Sequence, residues 1–373
     1  MRILTFIFVF CLFGFQSFAK ETNDSLFTKA KEIVYQDPDE SLKIANELLK
    51  TEKDFNRQSR LFILISTAYL AKRDYDSSLK ILHKLQNSLS EITDVVVKSE
   101  LSLRIGIQYE QMELYSKSIE QLDIAEDFAK TLTESNEMKF SLLGKIYAVR
   151  GMIYKNQSNT ELALEKFLIS IKSLEKIKPK FNSVNNLSVV YYNMGYCYLE
   201  DKKWLDAQKA FEKSVEYAKI TKANSLEAFA YKGLSEVYFI NGNHQKALDL
   251  LNLAEEKSKT IGDLTLNEGI FKGKADNFLV LNRFEDYQTY NNKYLQTRFE
   301  REQSELKSIN RSIENQLLQK ENKINELEKQ FYLKFGFLVF IGFVMMVVLV
   351  ILFVKFRKVN INYQKNIQKL INN

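Results

Sequence analysis

Four side chains in this 373-residue chain are of the types from which nucleophiles and metal ligands are usually drawn beyond carboxylates: His83, His244, Cys11 and Cys197. Such chemistry needs them at spacings that bring them together, and no H-E-x-x-H, C-x-x-C or G-x-x-x-x-G-K-S/T run occurs. His83 sits beside the apolar Leu82 on a helical pattern, where it is expected on an exposed face. His244 stands where four other segments carry Tyr75, Tyr115, Trp204 and Phe284, a substitution pattern that speaks for packing. Cys197 follows Gly195 by two positions with no His nearby in sequence, and reads as a small buried hydrophobe. Asp and Glu occur in mixed runs with Lys, the pattern of solvated helix faces. No catalytic residue, metal site or cofactor is therefore expected, and binding is the chemistry that remains.

Composition says which elements must position a binding face. With 12 Gly and 2 Pro the chain holds helix breakers at about a third of their usual share. A β-sandwich or a doubly wound α/β fold needs one at most turns, so long helices joined by short polar loops fit better. The net charge of +6 invites a nucleic-acid reading until it is located. Five of the positive charges fall in 355–373, which has no Asp or Glu, and Arg2 carries another, so residues 3–354 are balanced. No nucleic-acid partner is expected.

Both ends read as membrane topology. Met1-Arg2 leads into thirteen uncharged residues, Ile3 to Phe15, followed by Ser17 and Ala19 at the −3 and −1 positions of a cleavage site. That is a signal peptide over 1–19; the alternative, an uncleaved anchor, is short for the bilayer, since thirteen residues rise only about 20 Å. Phe335 to Val354 is a run of twenty residues with no charged side chain, so a membrane helix is expected over 333–354. The basic tail 355–373 places that end in the cytoplasm and 20–332 in the periplasm, a single pass through a bacterial inner membrane. The exported part holds one cysteine, Cys197, hence no internal disulfide.

Between the ends the chain repeats. A small residue recurs as Ser66, Gly106, Gly151, Gly195, Ser235 and Ala275, at intervals of 40, 45, 44, 40 and 40. Three positions on stand Tyr69, Tyr109, Tyr154, Tyr198, Tyr238 and Phe278; twelve on stand Ser78, Ser118, Ala163, Ala207, Ala247 and, exceptionally, Tyr287. Each unit reads as two antiparallel helices that approach closely where both are small, with aromatics filling the space beside them. Arg73-Asp74, Asn241-Gly242-Asn243 and Asn282-Arg283 mark where first helices end.

On Tyr191, Met194-Gly195, Tyr198, Ala207, Phe211 and Ser214, and again on Tyr231, Leu234-Ser235, Tyr238, Ala247, Leu251 and Ala254, the sequence resembles the tetratricopeptide repeat family. The resemblance implies an all-α solenoid over 20–295, with about six full repeats of roughly 40 residues and an atypical N-terminal partial repeat turning at Asp37-Pro38-Asp39. Repeats longer than the family's usual unit imply helices extended by a turn or so.

From Thr297 to Gln330 the pattern changes to a charged helix with a stripe of Leu306, Ile309, Ile313, Leu317, Ile324, Leu327 and Phe331. This heptad-like seam predicts a coiled-coil stalk over 296–332, able to form a homodimer through 297–331. The alternative is a lone solvated helix, since Asn310 and Lys320 lie near the seam.

The family resemblance implies that first helices line a concave face that takes peptides or partner helices. The Lys and Asn of the clamp that grips peptide C-termini are replaced here by Ala148 with Met152 and by Tyr192 with Tyr196. The expected groove is therefore mixed polar and aromatic: Lys145, Met152, Asn156, Tyr192, Tyr196, Glu200, Lys232 and Glu236. The alternative for the two tyrosines is packing against the neighbouring repeat. The order of parts resembles bacterial membrane-anchored repeat sensors, which go on to a LuxR-type helix-turn-helix or a histidine kinase, whereas only nineteen residues follow the apolar segment. The expected function is a scaffold or receptor for a periplasmic protein or peptide; the alternative is the sensing half of a regulator whose output half is missing or encoded separately.

Overall fold

The structure is a computed structural model that describes residues 23–178, 181–259 and 261–371; the expected signal peptide at 1–19 lies outside them. Among the described residues all regular structure is helical. Two compact units divide the chain, Met1–Ser312 and Ile313–Asn373.

In the first unit α1 spans 23–33. It is followed by α2 (Pro38–Thr51), α3 (Phe55–Ala71), α4 (Tyr75–Asn87), α5 (Val95–Gln111), α6 (Tyr115–Lys130), α7 (Glu137–Asn156) and α8 (Thr160–Leu174). Then come α9 (Phe181–Glu200), α10 (Trp204–Ile220), α11 (Asn224–Ile240), α12 (His244–Ser258), α13 (Leu264–Val280) and α14 (Phe284–Ile371). From α3 to α12, each odd-numbered helix packs on the even one that follows and on the next odd one. The partial repeat turns where expected: Pro38 opens α2 and the Asp37 side chain accepts from the Glu40 N–H.

The close approaches explain the small residues, with one refinement. The Ser118 hydroxyl donates to the Gly106 carbonyl at 2.7 Å, so the expected small pair does meet in that repeat. What presses on the glycine, however, is the bulky residue four positions further along. A Cβ on Gly151 would stand 2.4 Å from the Phe167 ring, and one on Gly195 would stand 2.6 Å from Phe211. The Phe211 ring also closes on Gly233 of the next repeat, at 2.3 Å from a Cβ built there. A second close approach was not foreseen. Ser99 donates to the Ala125 carbonyl at 2.8 Å, Ser170 to Gly144 at 2.6 Å, and Ser188 and Ser214 to each other's carbonyls at 2.9 and 2.8 Å. Its first-helix partners, Ser99, Gly144 and Ser188, all lie seven positions before the repeat's small residue.

The turns inside the repeats share one geometry. Arg73, Glu113, Ser158, Lys202 and Asn282 have φ of 57°, 58°, 55°, 61° and 57°, and Gly242 has 75°. Each lies seven positions after the small residue. The next residue's N–H closes the turn on the carbonyl of the repeat's aromatic, from Asp74 to Tyr69 at 2.9 Å through Arg283 to Phe278 at 2.9 Å.

No helix break follows residue 295, because α14 continues the last repeat's second helix. Thr297 is buried, and Arg301 pairs with Glu268 of α13 at 2.5 Å, so the first turns of the expected stalk belong to the array. In the second unit Ile313, Leu317, Ile324, Leu327 and Phe331 of the seam are exposed. One helical stretch among the described residues, Lys320–Gln368, is long and apolar enough to cross a membrane, and the expected span lies within it.

Candidate binding face of the repeat array

Tyr192 and Tyr196 lie one helical turn apart on α9, and their rings meet edge to face at 5.0 Å. Both lean on Phe211, at 6.0 and 5.2 Å, and Tyr192 also meets Phe229 of α11 at 5.7 Å. Lys232 and Glu236, a turn apart on α11, pair at 2.7 Å. The Tyr196 hydroxyl joins them, donating to Glu236 at 3.0 Å and accepting from Lys232 at 2.8 Å. Desolvation, with Tyr192 and Glu236 close by, raises the Tyr196 hydroxyl well above its ordinary pKa, so it stays a neutral donor. Desolvation works against the Lys232 charge, but Tyr192 and Glu236 outweigh it and the pKa is raised. The two tyrosines thus pack against the neighbouring repeat and are each half-buried.

The other expected groove residues are placed on the same helices. Met152 on α7 packs at the edge of two apolar clusters. Asn156 donates to Glu110 of α5 at 3.0 Å, and Glu200 is exposed at the end of α9. Lys145 is half-buried on α7, and burial, the largest influence on it, lowers its pKa to about 8. Sequence reasoning missed its surroundings, Glu100 and Arg104 on α5 and Lys31 on α1, and missed Lys155 further along α7, which donates to Asn193 of α9 at 2.7 Å. Glu100 stands six positions before Gly106, as Lys145 does before Gly151, so extending that register to the earlier repeat would have found it.

The expectation that carboxylates line solvated faces needs correction. Glu110, Glu126 and Glu227 are buried, each 5% exposed. Glu126 is supported by Arg150 at 2.7 Å, Lys130 at 2.8 Å and the Tyr147 hydroxyl at 2.8 Å, and Glu227 by Lys257 at 3.2 Å. Glu110, held by amides, has its pKa raised by desolvation. Residues of α7, in the next repeat, reach Glu110 and Glu126, and Lys257 of α12, in the same repeat, reaches Glu227.

His83 is half-buried rather than exposed, with Nδ1 3.2 Å from Gln86 and Nε2 3.4 Å from the Tyr109 hydroxyl; desolvation lowers its pKa. His244 packs edge-on against Phe239 at 5.2 Å and meets Asn277 at 3.2 Å. Cys197 is fully buried, and burial pushes its thiol up to about 11, the reverse of an activated nucleophile. Among the described residues no three His, Cys, Asp or Glu side chains are grouped to hold a metal ion.

Residues 186–259 match the tetratricopeptide repeat family. No curated protein matches by sequence. The solved structure of NprR in complex with its cognate peptide NprX is similar with a TM-score of 0.54 and 14% identity, over 74% of this chain and 78% of that one. The apo form of RapI gives 0.45 and 15% over 66% and 99%, and a Rap protein complexed with competence and sporulation factor gives 0.48 and 10% over 76% and 99%. The architecture of the array is thus a tetratricopeptide-repeat solenoid.

Proposed function

We propose that this tetratricopeptide-repeat protein binds a peptide or an extended segment of a partner protein along the face formed by α5, α7, α9 and α11, as a scaffold or receptor. The observation that carries the reading is the arrangement on α9 and α11: two half-buried tyrosines beside the Lys232–Glu236 pair. Rigid aromatics supply contact area at small entropic cost, and the ion pair and Tyr196 hydroxyl supply oriented polar groups. NprR, which shares the fold, is seen with its cognate peptide.

In this reading the array is exported, 333–354 crosses the inner membrane, and 355–373 is cytoplasmic. The apolar stretch and the basic residues after it support that order. The exposed seam at Ile313, Leu317, Ile324, Leu327 and Phe331 supports pairing of two stalks through 297–331. A helix that continues from the last repeat into the apolar stretch gives a route by which binding could be felt across the membrane.

Photo-crosslinking in cells tests the binding. A photoreactive residue at Tyr192 or Lys232 of the full chain should capture a defined partner, and one at Leu205 or Ile220, exposed on α10, should not. Equal labelling from both faces would sink the proposal.

A further inference from the structure

Three positions of each repeat meet the first helix of the repeat that follows. Four places after the small residue, Glu110 accepts from Asn156 of α7 at 3.0 Å, and Lys155 donates to Asn193 of α9 at 2.7 Å. Nine places after it, His244 meets Asn277 of α13 at 3.2 Å. Twenty places after it, Glu126 is held by Arg150 of α7 at 2.7 Å. In the first five repeats no residue at any of these positions is exposed. In the sixth they are Leu279, Phe284 and Leu295, which are 44%, 61% and 51% exposed.

A repeat array that ends in water closes with a polar outer face. Here all three places are apolar, and among the described residues no further repeat packs on α13 and α14. The surface is shaped for another helix. On α14 the exposed Phe284, Leu295, Phe299 and Leu306 stand 11, 4 and 7 residues apart, each step close to a whole number of turns, so they form one line. The array lies on the other side of those turns, where Thr297 is buried and Arg301 pairs with Glu268. The sequence carries the line on in steps of 7, 4, 7 and 7 through Ile313, Leu317, Ile324 and Phe331. An apolar line along one helix is complementary to its own copy set parallel beside it. Chains anchored in one membrane with one orientation meet each other in that parallel sense.

We propose that the last repeat is itself a dimer surface, where Leu295 and Phe299 of α14 meet the same residues of a second copy, flanked by Leu279 and Phe284. The inference rests on the membrane anchoring and stalk pairing proposed above and extends the pairing from the stalk onto the array. Two binding faces are thereby fixed to each other at the array and not through the stalks alone.

Disulfide trapping of the full chain in cell membranes tests this, in a background of Cys11→Ser and Cys197→Ala. Leu295→Cys, Phe299→Cys, Glu300→Cys and, in the stalk, Leu317→Cys are introduced one at a time; all four residues are exposed, so the replacements leave no cavity. A disulfide needs Cβ atoms about 4 Å apart, so Leu295→Cys and Phe299→Cys should each give about tenfold more covalent dimer than Glu300→Cys, which stands off the apolar line. Two differently tagged copies made together identify the product as a pair of this chain. Dimer through Leu317→Cys, with Leu295→Cys and Phe299→Cys no better than Glu300→Cys, overturns the array surface and leaves stalk pairing standing. No dimer from any variant overturns both. An adduct of Leu295→Cys or Phe299→Cys with a different protein overturns the second copy as the occupant.

Discussion

Arg73 Nη1 lies 2.8 Å from a carboxylate oxygen of Glu305, 232 positions later in the chain. The same guanidinium reaches the Thr265 hydroxyl at 2.6 Å, and Arg301 bridges Glu268 at 2.5 Å and Glu305 at 2.6 Å. The turn of the first full repeat is therefore tied to α13 and to the array-bound part of α14, the helix that continues toward the apolar stretch. The partners are about a quarter exposed, so solvent and salt screen them, and the coupling is expected near 1 kcal/mol. Arg73→Ala and Glu305→Ala should each speed amide exchange around 297–305, and the double variant should add little to either. Additive effects would mean that the pair is not coupled. Repeat arrays unfold in stages, so local exchange is the better readout than one melting temperature.

The Phe211 ring fills the gap between Gly195 and Gly233, helices of two successive repeats. Gly233→Ala should lower stability by about 1–3 kcal/mol by forcing the ring or the helix aside. Phe211→Leu, costly alone, should soften the effect of Gly233→Ala, because the smaller side chain leaves room for the methyl group. Thermal unfolding of the two single variants and the double variant checks this; a tolerated Gly233→Ala in the native background would contradict the packing.

Five of the six turns within repeats place a residue other than glycine at positive φ. An L side chain there costs about 1–2 kcal/mol, partly offset by its lower freedom in the unfolded chain. Lys202→Gly and Glu113→Gly should each stabilise the array by about 0.5–1 kcal/mol, and Gly242→Ala should destabilise it by about 1 kcal/mol. Chemical denaturation of the three variants would show whether both signs hold.

Lys145 gives stability a pH dependence of known sign. Its folded pKa is about 8, against 10.5 for an ordinary lysine. Between those values the unfolded chain binds more protons, so stability rises with pH there; below about 8 both states are protonated and the burial cost is fully present. Lys145→Gln should therefore raise stability at pH 7 and flatten the slope between about 8 and 10.5. A slope unchanged by the substitution would show that Lys145 is solvated like a surface lysine.

Membrane orientation can be checked with C-terminal fusions. Green fluorescent protein after residue 373 should fluoresce, and alkaline phosphatase there should be inactive. The opposite pair of results would reverse the proposed topology.

The repeat was legible because its small residues and aromatics keep a constant spacing, and spacing along a helix is a property of the chain itself. Arg73-Asp74, Asn241-Gly242-Asn243 and Asn282-Arg283 could be read as turns for the same local reason, and the structure puts positive φ at Arg73, Gly242 and Asn282. The buried Glu110, Glu126 and Glu227 could not be read that way. Their partners stand on other helices, α7 for Glu110 and Glu126 and α12 for Glu227, far from them in sequence.

By itself the sequence determined the helical class, the repeat and its phase, the turn positions and the apolar segment, since local periodicity and composition carry all of these. Tertiary structure alone decided which residues share a face. It closed Phe211 between two glycines, joined Tyr196 to Lys232 and Glu236, left Phe284 and Leu295 exposed, and brought Arg73 to Glu305. Those relations depend on how one helix pair is rotated and stacked on the next, which is set by the summed packing of many side chains and is written in no single stretch of chain.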